Sequence, residues 1–181
     1  SPRFESLQAA RVAVNARRFI GRTGIEDSEL LAMYAGADAN SNGTLGWDEL
    51  QRFQGKLDRA FRYRNNDTAL SPDQFLAEGG GDCEDWSLVT CGLVRFWGGE
   101  CYVGSFSDEA ATSAHAVAMV RAEDIPGGYS YYEIGADYRT RSGTVEPGRY
   151  VPVDYERVGG LTNAVGRDWS LRRMYVPEED S

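Results

Sequence analysis

Gly79-Gly80-Gly81-Asp82-Cys83-Glu84-Asp85-Trp86 sets a cysteine behind a run of glycine and among acidic residues. From Cys83 to Val94 the apolar side chains recur at helical spacing, which predicts a helix beginning at or next to Cys83. The unpaired backbone N–H groups and the dipole at a helix N-terminus favour a thiolate. A free cysteine ordinarily packs as a small hydrophobe, but Asp82, Glu84 and Asp85 are poor neighbours for a core residue, so Cys83 reads as a nucleophile. A nucleophilic site needs a base, and the chain contains 1 histidine, His115.

His115 opens Ala114-His115-Ala116-Val117-Ala118-Met119-Val120-Arg121, which reads as a strand. Pro126-Gly127-Gly128 marks a turn, and Tyr129 to Asp137 reads as the returning strand. A hairpin symmetric about Pro126 sets Asp137 directly across from His115. Glu133 shares that face but lies about 13 Å back along the strand at about 3.3 Å per residue, which makes it the reserve acid.

Cysteine, then histidine, then aspartate, on a helix start followed by a hairpin, resembles the transglutaminase-like and papain-like cysteine hydrolases. The likeness is greatest to the bacterial transglutaminase-like cysteine proteinases. It is carried by Pro72-Asp73-Gln74-Phe75-Leu76, by Gly79 through Trp86 and by His115-Ala116-Val117, within residues 65–155. The resemblance implies an α+β fold, in which the nucleophile's helix packs on an antiparallel sheet. It implies that Cys83 is the nucleophile, His115 the general base and later acid, and Asp137 the group orienting the imidazole. It also implies a calcium site at the acidic flanks of the cysteine, Asp82 and Glu84. The family's acid usually stands in a strand-end Asp-Pro or Asp-Asn pair, whereas Asp137 is followed by Tyr138. The Cys83 backbone N–H and the Gln74 side chain are the candidate oxyanion donors.

A second motif, Asp38-Ala39-Asn40-Ser41-Asn42-Gly43-Thr44-Leu45-Gly46-Trp47-Asp48-Glu49, matches the twelve-residue EF-hand calcium loop. Asp38, Asn40 and Asn42 supply side-chain oxygens, Thr44 a backbone carbonyl and Glu49 two carboxylate oxygens. Gly43 permits the left-handed backbone of position six, and Gly46 leaves position nine to a water. With neutral Asn at two ligand positions, modest Ca2+ affinity is expected. Helical patterns flank the loop at 26–35 and 47–57, and a convincing partner hand is missing. Ser71-Pro72-Asp73-Gln74 reads as a helix start, with Ser71 as N-cap and Gln74 closing a capping box.

With 181 residues, the chain can bury one sizeable core plus a helical appendage, and the pattern divides it into a helical EF-hand region at 1–64 and a catalytic domain at 65–181. A net charge of -9 without a basic stripe argues against nucleic acid. No apolar run approaches the ~20 residues needed to span a bilayer. Ser1 as first residue suggests an upstream segment that has been removed. Weakly charged calcium ligands suit a calcium-rich compartment, the periplasm or the cell exterior. Cys91 reads as helix core and Cys101 as strand, with a disulfide between them left open. The expectation is a calcium-binding cysteine peptidase acting on protein or peptide; the alternatives are a glutamine crosslinking transferase and a calcium-dependent binding module without turnover.

Overall fold

The computed structural model describes residues 2–110, 114–136, 138, 140, 144–162 and 169–177. Three helices lead: α1 (Pro2–Thr23), α2 (Ser28–Gly36) and α3 (Trp47–Ala60). A short strand β1 (Arg62–Tyr63), helix α4 (Pro72–Glu78) and strand β2 (Gly80–Gly81) precede helix α5 (Cys83–Phe96). The remainder is sheet: β3 (Cys101–Ser107), β4 (Ala114–Arg121), β5 (Tyr132–Ile134), β6 (Gly148–Asp154), β7 (Arg157–Val158) and β8 (Ser170–Tyr175). The α+β expectation holds.

The large sheet is antiparallel in the order β5-β6-β4-β3-β8, with β7 paired to β6. Both faces of its centre are covered, so β4 is a nearly unbroken apolar run rather than an alternating one. Ala116, Ala118 and Val120 join the core beneath the helices, while Val117 and Met119 join a second core on the far face with Phe106, Tyr150 and Met174. The first core also takes Phe19, Leu30, Tyr34, Leu50, Phe53 and Leu57 from α1, α2 and α3, so the N-terminal helices and the sheet share one apolar interior.

The expected hairpin between 114–121 and 129–137 does not form. Strand β6 lies between them, pairing Ala118 with Val153 on one side and Glu133 with Arg149 on the other. The Pro126 turn is present, with the Tyr129 N–H on the Pro126 carbonyl at 3.2 Å, but the returning chain bonds elsewhere, the Ser130 N–H donating to Gly159 O at 2.8 Å. The reason is burial. β6 carries Tyr150, Val151 and Val153, each at most 2% exposed, whereas Tyr131 at the returning chain is 46% exposed. The longer apolar strand takes the central position because only there are both of its faces covered. β5 spans only Gly148 to Tyr150 of β6, and beyond it the Pro152 carbonyl accepts from the Gly159 N–H at 2.9 Å.

Helix α5 is anchored at its N-terminus by Asp82, whose side chain accepts from the Asp85 N–H at 3.2 Å. Asp85 is fully buried. Its carboxylate accepts from the Leu70 N–H at 2.6 Å, from Asn66 Nδ2 at 2.6 Å and from the Asp82 N–H at 2.9 Å. One side chain therefore ties the 66–70 segment to the helix start, and the glycine run lets it: a Cβ on Gly81 would sit 2.5 Å from Asp85 Oδ2. Asp85→Ala would leave buried donors unpaired, a loss of about 3 kcal/mol or more. Asp82→Ala, which removes one cap, is expected to cost about 1 kcal/mol. Urea unfolding followed by tryptophan fluorescence checks the order of the two.

Candidate functional site

Cys83 is the first residue of α5, half-buried, with its sulfur 3.4 Å from the Ala116 N–H, which donates to it. The predicted helix start at Cys83 agrees with the structure. His115 stands beside it at the start of β4, its side chain 10% exposed. The ring's Nε2 is 2.8 Å from Asp154 Oδ1. Since that nitrogen is engaged by the carboxylate, the hydrogen bond between His115 and Cys83 falls to the other ring nitrogen. Sulfur, imidazole and carboxylate thus stand in series.

The carboxylate is not the expected one. Asp137 lies outside the described residues, and Glu133 is exposed on β5, paired with Arg149 across the ladder. Asp154 closes β6, 2% exposed, and its second oxygen accepts from the Thr162 N–H at 2.9 Å. Continuing the β4–β6 register by one pair sets Asp154 opposite Val117, diagonal to His115 and within side-chain reach. The signal was present in the sequence, since Gly148-Arg149-Tyr150-Val151-Pro152-Val153-Asp154 is an apolar run ending in an acid. It was missed because consecutive strands usually pair, and here they do not.

Electrostatics follow the geometry. Burial works against a charged ring, but hydrogen bonds to Asp154 and Cys83 outweigh it, and His115 is raised from 6.5 to about 9. An imidazolium is therefore the stable form at neutral pH. Aromatic rings wall the site: Tyr155 lies 5.3 Å from His115 and 5.6 Å from Trp86, with Tyr63 6.0 Å beyond. Burial raises Tyr155 and Tyr63 above the usual phenol range, so both remain neutral.

Gln74 is placed on α4, exposed, with its amide oxygen accepting from the Ser71 N–H at 2.9 Å. It closes the expected capping box around Ser71 through that oxygen. Cys91 and Cys101 are both buried, and no disulfide joins them in the structure.

The loop from Asp38 to Glu49 joins α2 to α3, as the flanking patterns predict. Asp38 is 5% exposed and Glu49 7%. Asp38 accepts from the Asn42 N–H at 3.2 Å, the Gly43 N–H at 2.8 Å and Gln8 Nε2 at 2.8 Å. Glu49 reaches back across the loop to the Gly46 N–H at 2.9 Å and the Asn40 N–H at 3.4 Å. Asn42 Oδ1 accepts from the Thr44 N–H at 3.0 Å, and Gly43 has a φ of 82°. Two buried carboxylates and two side-chain amides wind about one turn, an oxygen-only donor set suited to a hard cation. The acidic flank of the cysteine is different. Asp82 uses its side chain to cap α5, burial raises it, and the neighbouring Asp85 carboxylate is saturated with donors. Among the described residues, no group of three or more His, Cys, Asp or Glu is placed to hold a metal.

Legionella pneumophila LapG in its calcium-bound form superposes at a TM-score of 0.48 and 12% identity, over 81% of this chain and 74% of that one. The EGTA-treated form superposes at a TM-score of 0.49 and 12% identity, over 91% and 81%. No curated protein matches in sequence. The family profile of the transglutaminase-like superfamily matches residues 34–155, more than half of the chain, a span containing Cys83, His115 and Asp154: the chain belongs to the transglutaminase-like superfamily.

Proposed function

We propose that this protein is a cysteine peptidase acting through Cys83, His115 and Asp154, and that it carries a structural calcium ion in the Asp38–Glu49 loop. The observation that supports the catalytic reading is the Asp154–His115–Cys83 series, with the ring bonded to the carboxylate on one side and to the sulfur on the other. His115 takes the thiol proton, and the thiolate attacks the carbonyl carbon of the scissile amide. The oxyanion is met by the Cys83 N–H, which has no acceptor within its own helix at that position. The imidazolium gives its proton to the leaving amine, leaving an acyl thioester on Cys83. Water, deprotonated by His115, then releases the acid and restores the thiol. An amine in place of water would yield a crosslink. Asp154 holds the ring in the orientation both transfers need.

Calcium fits the loop because Asp38 and Glu49 are buried and Asn40, Asn42 and the Thr44 carbonyl add neutral oxygens. The ion would fix the junction of α2 and α3. The modest charge of this donor set suits a calcium-rich compartment, the periplasm or cell exterior. No described helix is long and apolar enough to cross a membrane.

Labelled casein, incubated with and without an added primary amine and read by mass spectrometry, separates backbone cleavage from amine incorporation. Cys83→Ala is expected to abolish either product with an unchanged circular dichroism spectrum. Asp154→Asn should cost on the order of 10²- to 10⁴-fold in rate, and Glu133→Gln nothing. Equal iodoacetamide reactivity of Cys83, Cys91 and Cys101 would contradict the reading, since the last two are buried.

The pH profile carries a sign. With His115 raised to about 9, the imidazolium needed for the leaving amine is lost as pH climbs through that value, so turnover should fall there. Asp154→Asn should move that alkaline limb to lower pH. Stability follows the same direction: the His115 ion pair contributes fully below about pH 6.5 and is lost as pH rises through about 9.

Calcium should raise the melting temperature, because an ion bound to the folded state alone adds RT ln(1 + [L]/Kd), about 2.7 kcal/mol at a hundredfold excess over Kd. Glu49→Gln should abolish most of that rise. Differential scanning calorimetry with calcium or EGTA checks it, and an identical melt in both would exclude the ion.

A further inference from the structure

Gln54 is 0% exposed in the middle of α3, a helix that supplies no group to the chemistry. Its Nε2 donates to the Tyr155 carbonyl, and its Oε1 accepts from Thr90 Oγ1 at 2.9 Å. Thr90 is itself 1% exposed and lies on α5, two turns below Cys83. A buried side-chain amide is costly unless both ends are paired. A leucine would fill the same volume without that constraint, so the glutamine's distinctive property here is its bonds.

The bonds land on an unusual piece of backbone. Asp154 pairs with Arg157 to close a two-residue turn made of Tyr155 and Glu156. Tyr155 sits at a φ of 33°, a region that bulky residues seldom adopt and that persists only where surroundings impose it. Both carbonyls of the turn are held by α3, that of Tyr155 by Gln54 and that of Glu156 by Gln51. The residue immediately before the turn carries the carboxylate on His115, and the residue in it carries the ring packed on His115.

We infer that Gln54 is a positioning residue that fixes the Asp154–Tyr155 turn against the cysteine-bearing helix, and so sets the orientation of His115. The inference rests on the catalytic reading above. Gln54 touches neither sulfur nor imidazole. It acts through the turn, with Asp154 held from its other side by the Thr162 N–H. The groups facing the His115 ring are Asp154 from β6, Cys83 from α5 and the Tyr155 phenol from the turn.

The chain has 1 histidine, so the imidazole can be titrated by NMR without assignment. In a Cys83→Ala background, where Asp154 remains as the carboxylate on the ring, the imidazole should titrate well above 6.5. Adding Gln54→Met, which keeps the volume and removes both bonds, should bring it down toward 6.5. With Cys83 present, Gln54→Met should slow iodoacetamide labelling of Cys83 about tenfold, the range in which outer-shell partners act. Gln54→Leu, which likewise removes both bonds at similar volume, should do the same. Leu57→Ala, a cavity in the same helix, should lower the melting temperature and leave titration and labelling unchanged. If both Gln54 variants titrate and label like the parent, or if neither folds, the positioning role is overturned. If the Cys83→Ala parent itself titrates at the ordinary value, the catalytic reading fails instead.

Discussion

The constraint on which the molecule depends is the burial of α5. Most of the helix, from Asp85 to Phe96, lies out of solvent between the N-terminal helices and the sheet. A helix enclosed in this way cannot slide or rotate without opening voids on several sides. The place of Cys83 is therefore set by packing along the whole helix rather than by the conformation of a loop. Its polar residues are consistent with that. Ser87 donates to the Cys83 carbonyl at 2.7 Å, Thr90 to Gln54 Oε1 at 2.9 Å, and Asp85 gathers three donors, so these side chains are tied down as well as packed.

The side chains around Cys83 are fixed as firmly as its helix. His115 is held by its strand, and Asp154 by a strand end, a backbone N–H and a turn clamped from α3. The rings of Tyr155 and Trp86 exclude water from one side, which strengthens the pull of the carboxylate on the imidazole. The N-terminal helices are thus part of the site's mechanical support, and α3 runs from the oxygen-rich loop at its start to the Asp154 turn.

Local patterns were readable where the chain's neighbours along the sequence decide the structure. The start of α5, the capped start of α4, strands β3 and β4, and the helix-loop-helix around Asp38 to Glu49 all depend on residues within a few positions of one another. What could not be read was decided by long-range competition. The hairpin that nominated Asp137 was a reasonable local pairing, but it lost to Tyr150, Val151 and Val153, which needed the centre of the sheet. Gln54 looked like one polar residue on an amphipathic helix, because nothing local reveals that its side chain meets a carbonyl from a distant turn.

The insertion of β6 between β4 and β5 also bears on how the molecule comes into being. His115 and Asp154 are 39 positions apart, and the strand that unites them must thread into a sheet whose other members can already have met. Contacts of such separation close late, because the chain entropy lost in closing the loop precedes the reward. During synthesis, a nascent chain that has emerged only as far as β5 has Cys83 and His115 but not the Asp154 carboxylate that bonds the ring. The same interval leaves the apolar edge of β4 unpaired, and an open strand edge invites association with other chains. The arrangement that completes the His115–Asp154 pair late also makes the interval before β6 arrives an aggregation-exposed stage of biogenesis.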